Sequence, residues 1–332
     1  MKYCRLNQNQ QAVKLMAKNL LKSRREILFL YDIRMGNPNG DPDENRPRRL
    51  PDGRFYVTDV RLKRFVRDYV ASHDYDILVS NIEGKTTNLT GRVVNYLNKE
   101  NKPQADGQEL VDILLDTFID ARWFGSSLAF KKGEGSKNRD WNPIPKTLTG
   151  ATQFNMGEVL NQTEEIQING TTIFGSGEEK GAGTFTETNV LRYGLVAFSG
   201  ITNEHSAQRS HMSEEDYEIL LKALWNGVRS AANTRSKVGQ VPRLLVSIEY
   251  QVGEEFQFGN LMDYMQLHPA NGKEEIHWAA PTDYLLDLSR LLDRLASQHQ
   301  RIAQVRYEQS PDLQLQVAIP PQWQLLGFDT PA

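Results

Sequence analysis

The run from Glu26 to Met35, EILFLYDIRM, is dense in apolar and β-favouring side chains, and it ends abruptly at Gly36-Asn37-Pro38-Asn39-Gly40-Asp41-Pro42. A segment of that composition is a buried strand. The cluster behind it forces a turn, because Gly tolerates positive φ, Pro presets φ, and short polar side chains bond the nearby backbone. A core strand that feeds directly into a polar turn fixes where the chain leaves its core. An arginine-rich loop then runs through Asp52-Gly53.

Thr58 to Val70, TDVRLKRFVRDYV, carries Leu62, Phe65, Val66, Tyr69 and Val70 at helical spacing. These form one apolar face. Thr58 is placed to cap the helix, and Asp59 complements its positive end. Arg61, Lys63, Arg64 and Arg67 are expected on the opposite, cationic side. Further on, Val190 to Ile201 and Val241 to Tyr250 read as strands. Glu214 to Ala232 reads as a helix with Tyr217, Leu220, Leu221, Leu224 and Val228 inward. Helices are also expected at Gln11 to Arg25, Glu109 to Ala121 and Asp283 to Gln298, with a last strand at Leu313 to Ala318. Phe130 to Lys146 is a Gly/Lys/Arg loop. Gln162 to Thr188 is rich in Gly, Thr and Glu, and its Asn169-Gly170 pair marks a hairpin turn, so this stretch is expected to protrude as a β-hairpin or a flexible finger. Strand, helix, interruption, strand, helix, strand suggests an α+β, ferredoxin-like β-α-β-β-α-β plan with large insertions. No segment stands out as its second strand.

Bulk properties narrow the function. The formal net charge is −3, so any nucleic-acid surface must be a local basic patch on an acidic molecule. The single cysteine, Cys4, rules out an intrachain disulfide and any zinc site built from several cysteines of one chain, and it fits a cytoplasmic location. Ile27 to Tyr31, the longest apolar candidate, is far too short to span a membrane, and no secretory signal is expected. The six histidines are scattered, and no nucleophile-elbow, Walker or Rossmann pattern sits in a suitable context.

Three constellations remain. The turn from Asn37 to Pro42, with Arg46, Arg48 and Arg49, gathers amides and cations that suit phosphate oxygens; the plain alternative is an ordinary strand-to-helix connection. Asp41-x-Asp43-x-Asn45 copies the opening of a calcium loop, but Arg46 stands where the sharp turn needs Gly and Asp52 where a bidentate Glu belongs. Asp32, Asp41, Asp43 and Asp59 would have to converge to serve a magnesium-dependent nuclease. The basic helix face is the second constellation, set against a merely solvated face. The third is Arg229 with Thr234-Arg235-Ser236-Lys237-Val238-Gly239-Gln240, either a second phosphate loop or a cationic helix end that the dipole favours. Trp123 and Phe124 suit either base stacking or core packing.

These pieces, in this order, resemble one family. ILFLYDIRMGNPNGDPDENRPR (Ile27 to Arg48), VTDVRLKRFVRDY (Val57 to Tyr69), DARWFG (Asp120 to Gly125), TGATQFNMG (Thr149 to Gly157), GTFTETNVLRYGLVAFSGITNE (Gly183 to Glu204), ALWNG (Ala223 to Gly227) and RSKVGQVPRLLVSIEY (Arg235 to Tyr250) are similar to the CRISPR-associated Cas-seven family, the backbone subunits of type I Cascade complexes, in its type I-B branch. The resemblance implies one RRM-like domain over residues 1–332. It carries finger insertions at about 71–150, a thumb hairpin at 162–188 and a C-terminal extension at 259–332. It implies a structural subunit without catalytic residues, metal or cofactor. Such a subunit polymerises with copies of itself along a guide crRNA, joins other Cascade subunits and presents guide bases to target DNA. The RNA-binding positions it implies are Asn37, Asn39, Arg48, Lys63, Arg64, Arg67, Arg235, Ser236 and Lys237. A metal-dependent ribonuclease of the same superfamily is the rival. Contact through phosphates fits a coat for guides of any sequence, because base readout would restrict them.

Overall fold

The computed structural model describes residues 19–80, 89–128, 147–171 and 185–329. Strand β1 (Arg25–Gly36) lies at the centre of a sheet, antiparallel to β8 (Phe185–Thr202) on one side and to β9 (Gln240–Tyr250) on the other. Beyond β8 come two three-residue pieces, β5 (Thr152–Phe154) and β6 (Gly157–Val159), both antiparallel to it. Together they border β8 on the side away from β1. Asn155 and Met156 interrupt them, so neither piece is long enough to show a period of two. The short β2 (Tyr56–Val57) pairs with β6. On the far side of β9, β12 (Ile302–Gln309) adds antiparallel and β13 (Gln324–Leu325) parallel.

Both faces of the central sheet are covered. Ile27, Phe29, Tyr31 and Ile33 pack under α1 (Asp59–Ala71) and α6 (Glu214–Ser230), against Leu62, Phe65, Val66, Leu220 and Leu224. On the other face Leu28 and Leu30, with Leu244, Val246 and Ile248, meet Trp278, Tyr284, Leu286, Leu288 and Leu291 of the C-terminal part. A third core joins α2 (Leu89–Lys99) and α3 (Gly107–Thr117) through Val93, Leu97, Leu110 and Leu114. The short α4 (Ile119–Phe124) links this core to α6. Arg122 makes two bonds to the Asp216 carboxylate at 2.8 and 2.7 Å, and Trp123 Nε1 donates to the Asp216 carbonyl at 2.9 Å. Ser213 and Asp216 form a capping box on α6, so one carboxylate both caps a helix and neutralises a buried arginine.

Several expectations need correction. The helix expected at Glu109 to Ala121 is two, broken at Phe118, whose backbone is extended. Within Asp283 to Gln298 a strand, β11 (Tyr284–Asp287), precedes the helix α7 (Ser289–Ser297). Leu313 to Ala318 forms no strand, only a bridge between Leu315 and Leu286. The Asn169-Gly170 turn does not form. Both residues lie inside β7 (Glu165–Thr171), opposite Glu187 and Thr186 of β8, because a continuing ladder satisfies more backbone groups than a tight turn at that point would. The connection at 172–184, the whole loop expected at Phe130 to Lys146, which precedes β4 (Thr147–Thr149), and residues 11–18 of the expected N-terminal helix lie outside the described residues. Residues 19–24 are not helical: Leu20 bridges Ser213, and Leu21 is buried. Among the described residues no helix is long and apolar enough to cross a membrane.

Truncating Leu62 or Phe65 to Ala opens space between α1 and β1 and should cost roughly 2–5 kcal/mol. Urea unfolding measures it. A loss under about 1 kcal/mol at both positions would show that this contact is not core.

Candidate nucleic-acid interface

Two loops meet at the end of β1, the turn that follows it and the segment 234–240 that leads into β9. Arg34 N donates to the Gly239 carbonyl and Asn37 N to the Ser236 carbonyl, each at 3.0 Å. The approach tolerates no side chain, since a Cβ on Gly36 would lie 2.7 Å from the Ser236 carbonyl oxygen and one on Gly239 2.0 Å from that of Arg34. Lys237 closes the seam by donating from Nζ to the carbonyls of Asn37 and Pro38. Burial, reinforced by the Arg61 charge nearby, pushes its ammonium down to about 7.

The turn is held from within. Asn37 Nδ2 donates to the Asn45 carbonyl at 2.7 Å. Asn39 Oδ1 accepts from both the amide and the hydroxyl of Thr58 at 2.8 Å, tying the turn to the α1 cap. Arg48 Nε donates to the Gly40 carbonyl at 3.3 Å. Asp41 accepts from the amides of Glu44 (2.8 Å) and Asp43 (3.0 Å), which hold its carboxyl below the usual range.

Of the expected residues, Asn37, Asn39, Arg48, Ser236 and Lys237 come together here. Arg235 stands beside them, its Nη2 on Thr188 Oγ1 at 2.8 Å. The helix face differs from expectation. Lys63 pairs with Asp59 at 2.9 Å and with Gln153 Oε1 at 3.0 Å. Arg64 is the exposed one and pairs with Asp68 at 2.7 Å. Arg67 is turned inward: its Nε lies 2.8 Å from Asp120, a carboxylate with no exposed surface, which also accepts from the amides of Leu78 and Val79. Arg67 sits at the flank of the apolar stripe, and a carboxylate far away in sequence draws it in. Arg61 lies over the Phe65 ring with its guanidinium carbon 4.2 Å from the centroid.

Sequence reasoning missed the carboxylates that occupy the loop arginines. Glu165 of β7 accepts from Arg46 at 2.7 and 3.1 Å and from Arg49 at 3.1 Å. Against the cost of burial, the two guanidiniums hold its carboxyl below the ordinary value. Nothing in the spacing of Glu165 announces this. Arg229 likewise pairs with Asp329. Trp123 and Phe124 are core residues, not a stacking platform.

The carboxylates considered for a metal are dispersed. Asp32 is buried and bonded to Arg243 Nε and Tyr193 Oη, each at 2.8 Å; Asp59 faces Lys63; Asp41 is engaged by loop amides. Among the described residues no group of three or more His, Cys, Asp or Glu is placed to hold a metal ion. What the surface offers is the guanidinium groups of Arg48 and Arg235 over a fixed backbone, an arrangement suited to phosphate or carboxylate oxygens.

Known proteins share this fold. A chain of a solved CRISPR RNA-guided surveillance complex superimposes with a TM-score of 0.53 at 14% identity, covering 91% of this chain and 94% of that one. Residues 23–289 match the family model described as CRISPR-associated protein Cas7, and the chain belongs to that family. The CRISPR-associated protein Cas7 of Haloferax volcanii is 33% identical over 293 residues, 84% of this chain and 85% of that one.

Replacing Arg67 by Ala strands Asp120 in the core without its cation and should cost roughly 3–5 kcal/mol. Arg64→Ala, at an exposed pair, should cost no more than about 0.5 kcal/mol. Urea unfolding of the two variants compares them, and equal small losses would show that Arg67 is not an anchor.

Proposed function

We propose that the chain is a crRNA-binding structural subunit of a type I-B CRISPR surveillance complex. It polymerises with copies of itself along the guide, joins the other Cascade subunits and leaves guide bases free to pair with target DNA. In this reading β1, the broken strand β5 and β6, β8 and β9, with α1 and α6, are an RRM-like palm. The parts at about 71–150 are fingers, 162–188 the thumb, and 259–332 a C-terminal extension.

The observation that carries the reading is the seam at the end of β1. Two loops joined backbone to backbone bring Asn37, Asn39, Arg48, Arg235, Ser236 and Lys237 together, and Arg48, Arg235 and Lys237 have no carboxylate partner among the described residues. Family membership and the shared fold support it. Lys63 and Arg64 join through exchange of their helix carboxylates for phosphates, whereas Arg67 serves the surface indirectly by anchoring α1 to Asp120. The bonding of Asp41 to its own loop favours a structural role over catalysis.

The double substitution Arg48→Ala and Arg235→Ala should weaken binding to RNAs of unrelated sequence alike. It should also flatten the salt dependence by roughly 0.7 of a logarithmic unit for each phosphate that is no longer neutralised. A loss confined to particular sequences would mean that these residues read bases. The same RNAs, and complementary DNA, are incubated with magnesium or manganese. Metal-dependent cutting that disappears in Asp41→Ala or Asp43→Ala, with binding intact, would replace the structural subunit by the ribonuclease.

A further inference from the structure

Lys237 and Arg61 lie within electrostatic reach of each other. Among the described residues neither forms an ion pair with a carboxylate, and Arg61 lowers the proton affinity of Lys237 through space. The other groups that act on Arg61 are Tyr31 from β1 and Asp68 and Arg64 from α1. The groups facing Lys237 from the turn are main-chain carbonyls, those of Asn37 and Pro38. Arg61 itself and the residues that bond to Lys237 or act on Arg61 carry polar atoms that are buried and unpartnered: Tyr31 Oη, Asn37 Oδ1, Gln240 Oε1 and Arg61 Nε. The residues Tyr31, Asn37 and Gln240 are themselves at most 2% exposed. One corner thus combines two uncompensated cations with orphaned hydrogen-bonding groups, and each is a costly feature in a stable fold.

The proton count at Lys237 matters here. A neutral lysine amine has two N–H groups, and both are spent on the two carbonyls. An ammonium has a third to offer. We propose that the third N–H of protonated Lys237, with the Arg61 guanidinium beside it, takes one phosphate of the guide backbone, so that RNA binding at this corner takes up a proton. The inference rests on the RNA-binding reading above. It adds Arg61 as a ligand and a pH response to it.

Linkage sets the sign. Free Lys237 loses its proton near pH 7, and a bound phosphate raises its proton affinity toward the ordinary lysine value. Binding is therefore strongest below pH 7. It weakens as pH rises above 7, by up to roughly tenfold per unit for one linked proton. The test measures the affinity of the full-length protein for a labelled oligouridylate from pH 6 to about 9 at constant ionic strength, with calorimetry in buffers of different ionisation enthalpy to count protons taken up. Wild type should show the decline and uptake of up to one proton near pH 8. K237R, permanently charged, should bind with a flat profile and no uptake. R61Q removes the neighbouring charge and should move the decline to higher pH. Thermal melting verifies that both variants are folded. A flat wild-type profile, or the same decline in K237R, overturns the proton linkage and leaves RNA binding standing. Failure to bind RNA at any pH overturns both.

Discussion

Strand β1 is buried on both faces over most of its length, and that burial organises the molecule. Its odd-numbered residues from Ile27 to Ile33 carry the helix layer, while Leu28 and Leu30 carry the C-terminal layer. A strand in that position must be hydrogen-bonded along both edges, because an unpaired buried amide is costly, and β8 and β9 supply those bonds. The polar groups on β1 are buried too and need partners. Asp32 finds Arg243 and Tyr193, and Glu26 accepts from Tyr250 Oη and the amides of Phe258 and Gly259. Burial pushes both carboxyls up, opposed by those bonds.

The basic residues follow a second rule. Arginines near the core are neutralised one by one: Arg25 by Glu214 and Glu249, Arg67 by Asp120, Arg122 by Asp216 and Arg243 by Asp32. These pairs hold elements together, and breaking one strands a charge. Arg48, Arg235 and Lys237, where two loops cross the end of β1, have no such partner among the described residues. Net charge told nothing of this, because it sums over the whole chain.

Long, strongly patterned elements were legible in the sequence. The strand Glu26 to Met35 and the helix capped by Thr58 lie within a residue of expectation, and the inward set of Tyr217, Leu220, Leu221, Leu224 and Val228 is buried as its spacing implies. The broken strand β5 and β6 was not legible, because three-residue pieces owe their pairing to β8 rather than to any pattern of their own. The turn at Asn37 and Asn39 after β1 and the loop between α6 and β9 were legible as connections from local chemistry. The inward turn of Arg67 and the capture of Arg46 and Arg49 by Glu165 were not, because each depends on a partner more than fifty positions away in the chain. Local propensity likewise mistook Asn169-Gly170 for a turn, where pairing with Glu187 and Thr186 decided the outcome.

The seam between Gly36 and Ser236, and between Arg34 and Gly239, fixes the spacing of the groups around it through main-chain bonds rather than flexible side chains. Asn39 and Lys237 belong to segments nearly two hundred residues apart in sequence, yet their separation in space is set by the sheet. Ordering entropy that a mobile loop would lose on meeting a ligand is spent here during folding instead. For the RNA binding proposed above, such a surface would act as a ruler, favouring a polymer whose charges repeat at the matching interval over one of equal charge and different pitch.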